Sequence, residues 1–135
     1  MKKLVLSLVA LLVLVNFTYA NTDFTGGIKK NAIASLVVGI KSENMGLKRN
    51  CIYFAGKYRI DEATDALIAE LNKTDNAKIK VLISLSLYMI GNEEGIDAVY
   101  KLANKENDNY VKKMANAIID EYNNNKSTNY ASVSK

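Results

Sequence analysis

The feature that most limits what this chain can fold into is a repeat of 32 residues. Gly46–Tyr58 (GLKRNCIYFAGKY), Lys78–Ile90 (KIKVLISLSLYMI) and Tyr110–Tyr122 (YVKKMANAIIDEY) align with Leu47, Ile79 and Val111 in one column. Lys48, Lys80 and Lys112 fall in the next column, and Tyr58, Ile90 and Tyr122 in the last. The segments between them align too. Thr64–Asp75 and Ile96–Asn107 share Asp65/Asp97, Ala66/Ala98, Asn72/Asn104 and Lys73/Lys105 at the same offset. Asn31–Asn44 matches Glu62–Asp75 at an offset of 31. A period of this length marks stacked supersecondary units, none of which can hide its apolar face alone.

The unit reads as helix, short turn, helix, longer turn. Apolar residues recur at three- and four-residue steps through residues 31–122, proline is absent and glycines are few, which predicts an all-α domain. The spacing places helices at 31–43, 46–58, 61–73, 78–90, 93–105 and 109–122. Asp61 and Glu62 suit a helix start, Gly91 suits a left-handed C-terminal cap, and NKTDN and NKENDN are polar turns. Lys80–Gly91 (KVLISLSLYMIG) is too short to span a bilayer. In a stack it becomes the central helix, apolar almost all round, with Leu85 and Leu87 both in the core. The hydroxyls of Ser84 and Ser86 are expected to bond to carbonyls one turn back. The tail 123–135 lacks apolar periodicity and is expected to be disordered.

The N-terminus carries secretory grammar. Lys2 and Lys3 precede an apolar run from Leu4 to Val15, and Thr18-Tyr19-Ala20 supplies small residues for cleavage after Ala20. Cleavage leaves 115 of the 135 residues and lowers the net charge from +4 to +2. The expected domains are therefore a signal peptide (1–20), a short segment (21–30), the repeat domain (31–122) and the tail. The expected address is secreted or periplasmic, with no membrane span in the mature chain. So small a charge gives no ground for a nucleic-acid partner.

Side-chain inventory narrows the chemistry. Histidine is absent and Cys51 is the lone cysteine. That removes a Ser-His or Cys-His nucleophile, the usual zinc and copper ligand sets, and any intramolecular disulfide. Cys51 shares a column with Ile83 and Ala115, so it is expected to be buried and inert. Glu93 and Glu94 are adjacent and point in different directions on a helix, which suits a helix start better than hydrolysis. No catalytic, cofactor or metal residue is assigned. Asn72-Lys73-Thr74 and Asn125-Lys126-Ser127 fit the glycosylation sequon, which matters only on a eukaryotic route.

Several positions resemble bacterial HEAT and HEAT-like repeats. The matching first-helix positions are Ile79-Lys80, Ile83 and Ile90-Gly91, then Val111-Lys112 and Ala115, then Leu47-Lys48 and Cys51. Ala63–Asp75 (ATDALIAELNKTD) is close to the family's second-helix pattern. Lysine stands where the family usually has arginine, and the turn prolines are missing. The resemblance covers about residues 31–122. It implies a short right-handed α-solenoid of about three helix pairs, with the second helices lining a concave face. It also implies that the lysine ladder bonds to acidic turn residues such as Asp75, a packing device rather than an anion-binding row.

The candidate binding surface follows from that arrangement. Asp65, Asp97, Tyr100, Lys101 and Lys105 lie on the second helices, with Lys73, and offer mixed charge to a protein or peptide partner. The same residues also make an ordinary solvated face. Tyr100, four residues from Ile96, suits either a hot spot or the core. Tyr53, Tyr58, Tyr88, Tyr100, Tyr110 and Tyr122 are expected to be half-buried with hydroxyls at the rim. An exported, non-enzymatic binding module is the leading reading. The alternatives are an assembly role, a polyanion binder, and a lyase-type enzyme of the kind some HEAT-like proteins resemble.

Overall fold

The structure, a computed structural model, describes residues 30–133 and side chains through Ser127. The expected signal peptide and segment 21–29 lie outside the described residues, as do residues 134 and 135. Six helices form: α1 (Lys30–Ile40), α2 (Met45–Lys57), α3 (Thr64–Lys73), α4 (Ala77–Ile90), α5 (Glu93–Lys105) and α6 (Asn109–Val133). One 3-10 turn, Asp61–Ala63, leads into α3, and no strand occurs among the described residues. The all-α prediction therefore holds.

The 32-residue period appears in the hydrogen bonds as well as in the sequence. Asn44, Asn76 and Asp108 cap α2, α4 and α6. Their side-chain oxygens accept from Leu47 N–H (3.0 Å), Ile79 N–H (3.2 Å) and Val111 N–H (3.0 Å). Two residues before each cap, a side-chain oxygen accepts the cap's own N–H: Ser42, Thr74 and Glu106, at 3.1, 3.3 and 3.0 Å. Each such bond satisfies a donor that the helix start leaves unpaired. The helix ends repeat once. Gly91 ends α4 in the left-handed region at φ 80°, and Arg59, in the same column after α2, adopts φ 50°. The third member of that column is Asn123, where α6 does not stop.

Helices α2, α4 and α6 lie side by side in one layer, with α3 and α5 packed against α4 and against each other in a second. Ile52, Leu67, Ile83, Leu87 and Val99 are fully buried between them. The α2–α4 approach is close enough that a Cβ on Gly56 would sit 2.7 Å from the Ser86 Cα. Ser86 completes the contact by donating its hydroxyl to the Ile52 carbonyl on α2 (2.9 Å). This differs from the bond expected one turn back, which Ser84 does make, to Lys80 (2.9 Å). Between the layers' turns, the Asn92 amide caps Gly95 (2.8 Å) and donates to Asp61 (2.6 Å) and Thr64 (2.7 Å).

Three expectations change. The central helix is not apolar-buried all round, because Leu85 is 38% and Met89 39% exposed. They lie four residues apart on the stripe turned away from the second layer, so only Leu87 of the expected leucine pair is core. Tyr88, Tyr100 and Tyr122 are half-buried as expected, but Tyr53, Tyr58 and Tyr110 are exposed. Third, α6 runs past Tyr122 to Val133, where a disordered tail was expected. Polar contacts carry it beyond the apolar pattern. Tyr100 donates to Asn123 (3.0 Å), and the Asn125 amide donates to Tyr88 and Glu121 (both 3.0 Å).

Two mutational outcomes follow. Leu87→Asp places an unpaired charge at a fully buried position and should abolish the cooperative thermal melt, whereas Leu85→Asp should keep it, with a loss under about 1 kcal/mol. Arg59→Gly relieves a left-handed residue and should leave stability unchanged or raise it by up to about 1 kcal/mol in urea titration, the relief offset by backbone entropy.

Candidate functional site

The second layer leaves an open hollow of about 900 Å³ between α3 and α5. Its floor is apolar: Ile68 and Leu71 from α3, Ala98 and Leu102 from α5. The wall along α5 follows four-residue spacing, so Glu93, Asp97, Lys101 and Lys105 stack on one stripe, with Glu94 beside them. Charge is therefore ordered along the helix. Carboxylates occupy its first two turns and amines its last two, each complementing the helix dipole at its end. Asp97 to Lys105 spans about 12 Å at the helical rise.

Of the five residues expected on a binding surface, the structure brings three together: Asp97, Lys101 and Lys105 line the hollow. Asp65 is exposed but does not line it. Asp97 looks back toward α3, and the same column on α3 looks away from the hollow. Tyr100 is half-buried against the core and bonds to Asn123 of α6, so it belongs to packing and not to this wall. Glu93 and Glu94, read from sequence only as helix-start charges, also line the hollow. Their spacing from Asp97, four residues for Glu93 and three for Glu94, was the available signal. Among the described residues no three His, Cys, Asp or Glu side chains converge to hold a metal ion.

The far end of the hollow is closed by Lys80 and Glu106. The Lys80 ammonium donates to Glu106 Oε2 at 2.5 Å, while Glu106 Oε1 accepts from the N–H groups of Asn107 (2.9 Å) and Asp108 (3.0 Å). The Asp108 N–H first and the Lys80 ammonium second hold the Glu106 carboxyl below the usual carboxylate range. The other ladder residues differ. Lys48 is buried and pairs with Glu70 at 2.5 Å, not with Asp75, which is exposed. The column of Glu106 holds Thr74 one repeat earlier, which has no charge to offer, so the carboxylate one turn before it takes the role. Lys112 is exposed. Cys51 is buried, and burial pushes its thiol above the ordinary range, away from the reactive thiolate.

Compared with protein-family models, curated proteins and solved structures, the chain matches none. Among the described residues no helix is long and apolar enough to cross a membrane.

Glu106 gives the site a pH dependence of definite sign. Its folded pKa lies below the ordinary value near about 4.3, so its contribution is complete above that pH and is lost as pH falls through the folded value. Glu106→Gln should cost about 1–3 kcal/mol at pH 7, chiefly by leaving Lys80 unpaired. In urea titrations the gap between wild type and variant should narrow as pH falls below the ordinary glutamate value and close only below the lower, folded one.

Proposed function

We propose that the chain is an exported, non-enzymatic α-solenoid of the HEAT-like kind, a short right-handed array of about three helix pairs. Its task on this reading is to hold a protein or peptide partner in the hollow between α3 and α5. The observation that carries the reading is the hollow itself, an apolar floor of Ile68, Leu71, Ala98 and Leu102 beneath a wall with acids at one end and amines at the other. An apolar floor takes side chains, and opposed charges fix which way a segment lies. The repeated caps at residues 44, 76 and 108 support translation of one unit, as a solenoid requires. The N-terminal grammar supports a periplasmic or extracellular address, with the mature chain starting at residue 21.

Mixed charge in the hollow favours a peptide over a polyanion, which needs a one-sided basic row. The lysine ladder does not supply one, since Lys48 and Lys80 are both spent in ion pairs.

The test is capture from periplasm or medium with the chain from residue 21, alongside Lys101→Glu/Lys105→Glu. Both lysines are exposed, so the double variant should keep its helicity. A partner that binds the parent and weakens at least about tenfold with the variant supports the reading. A partner held equally by both, or a monomer that captures nothing, overturns it.

A further inference from the structure

Among the described residues the first layer has two outer faces, and they differ in chemistry. On the side facing the C-terminal neighbour, columns 48/80/112, 52/84/116 and 56/88/120 run through α2, α4 and α6. Lys48, Ile52 and Gly56 are buried under α4. On α6 the same columns hold Lys112, Asn116 and Asp120, all exposed and all polar. That end is finished, as a terminal repeat must be to stay soluble.

On the opposite side the described residues leave apolar surface uncovered. Columns 47/79/111 and 54/86/118 face the N-terminal neighbour. Ile79 and Ser86 on α4 are 2% exposed under α2, and Val111 and Ile118 on α6 are 1% and 6% exposed under α4. On α2 these columns hold Leu47, 49% exposed, and Phe54, 41% exposed, with Tyr58 in the next column at 58%. The last turn of α1 covers only part of this face: Gly39 lies against Cys51, while Val38 points outward at 69% exposure. Phe54 and Tyr58 stack with ring centroids 5.9 Å apart, and the Lys57 ammonium lies 5.5 Å from the Tyr58 ring.

Charge says what would cover it. From residue 41 to residue 59 the chain carries Lys41, Lys48, Arg49, Lys57 and Arg59 against Glu43 alone. Lys48 is neutralised internally by Glu70, and Glu43 faces Lys73, leaving Lys41, Arg49, Lys57 and Arg59 as an excess of positive charge in this segment, with Lys57 against the Tyr53 and Tyr58 rings. A second copy presenting the same face would bring these cations together. A second copy presenting its α6 end would bring polar Asn116 and Asp120 onto Leu47 and Phe54. Neither is complementary.

We infer that the open face of α2 is a second docking site, separate from the hollow, for an amphipathic α-helix of another protein with an apolar stripe flanked by Asp and Glu. A helix is the occupant because helices cover the same columns on α4 and α6. Its apolar stripe takes the place of a preceding first-layer helix against Leu47, Phe54 and Tyr58. Its carboxylates meet Lys57 and the positive excess of the segment 41–59. The inference rests on the repeat and not on the hollow, so the two sites fail separately.

The probe is a fluorescein-labelled peptide of 14 residues, the length of α4, with leucines at three- and four-residue spacing and glutamates elsewhere. The control peptide carries lysine in place of glutamate. The acidic peptide should bind the chain from residue 21 and the lysine peptide should not. Phe54→Glu/Tyr58→Glu should weaken binding at least about tenfold with unchanged circular dichroism, since both positions are exposed. Lys57→Glu should weaken it by about threefold or more, and added salt should do the same. Lys101→Glu/Lys105→Glu should leave it unchanged. Equal binding of both peptides, or of the acidic peptide to the Phe54/Tyr58 variant, overturns the inference. So does a dimer in sedimentation that the same variant dissociates, which would make the occupant a second copy. Loss of binding to phosphatidylglycerol vesicles in that variant, without acidic-peptide binding by the parent, would assign the face to a lipid surface instead.

Discussion

Everything else in the helical unit depends on how near α2 can come to α4. Gly56 presents no Cβ where one would strike the Ser86 backbone, and Ser86 answers with a hydroxyl bonded to the Ile52 carbonyl. Small residues at a helix crossing let two backbones approach, and a buried hydroxyl is tolerated because it has found its acceptor. That contact sets the register of the first layer. Ile52, Ala55, Ile83 and Leu87 then fall opposite one another as a dry core. The second layer is held to this register by Asn92, whose one amide caps α5 and grips the turn before α3. Stacking and capping act at the same end of the hairpins, in the last turns of α2 and α4 and the turns that follow them, so neither layer can slide there without breaking the other's bonds.

The two ion pairs show how a repeat tolerates unlike solutions in one column. A buried lysine needs a carboxylate in contact, because an uncompensated charge in the core costs about 3–5 kcal/mol. Lys48 finds Glu70 from within α3, and Lys80 finds Glu106 from the turn before α6. The donors are equivalent by translation, yet the acceptors are one helical turn apart. The long lysine stem absorbs that difference, which the planar fork of an arginine would tolerate less well. Lys112 stands in solvent, with no ion pair among the described residues.

Much of this was legible beforehand because helices announce their period and repeats announce their offset. The six helix positions, the left-handed Gly91 and the buried Cys51 all follow from columns that can be read in the chain. What escaped was directional. Counting apolar residues in Lys80–Gly91 predicts a helix buried almost all round, but burial depends on azimuth, and Leu85 and Met89 lie on the outward stripe. Arg59 escaped because the left-handed region is expected of glycine, and only its column with Gly91 betrays it. The extension of α6 escaped because its support is polar and long-range, Asn123 and Asn125 reaching Tyr100 and Tyr88. The hollow was half legible. The stripe Asp97, Lys101, Lys105 was visible, but its apolar floor needs α3 and α5 side by side, and the outward aim of Asp65 needs the direction of stacking.

The small number of units explains why chemistry gathers at edges. In a long array the end faces are a minor share of the surface, and the inner groove repeats many times. Here, among the described residues, α3 and α5 lie side by side and leave a hollow between them. Among the described residues the first layer has α4 inside and two outer faces, on α2 and α6, that differ in chemistry. The α6 end was made polar across Lys112, Asn116 and Asp120, which forbids growth by addition of like units there. The α2 end kept Leu47, Phe54 and Tyr58 in columns that are apolar or small wherever a helix covers them. A face that had only to stay wet would gain from the same polar treatment as its counterpart. Its aromatic and basic character is therefore a retained cost, and such costs persist in small domains where a contact offsets them.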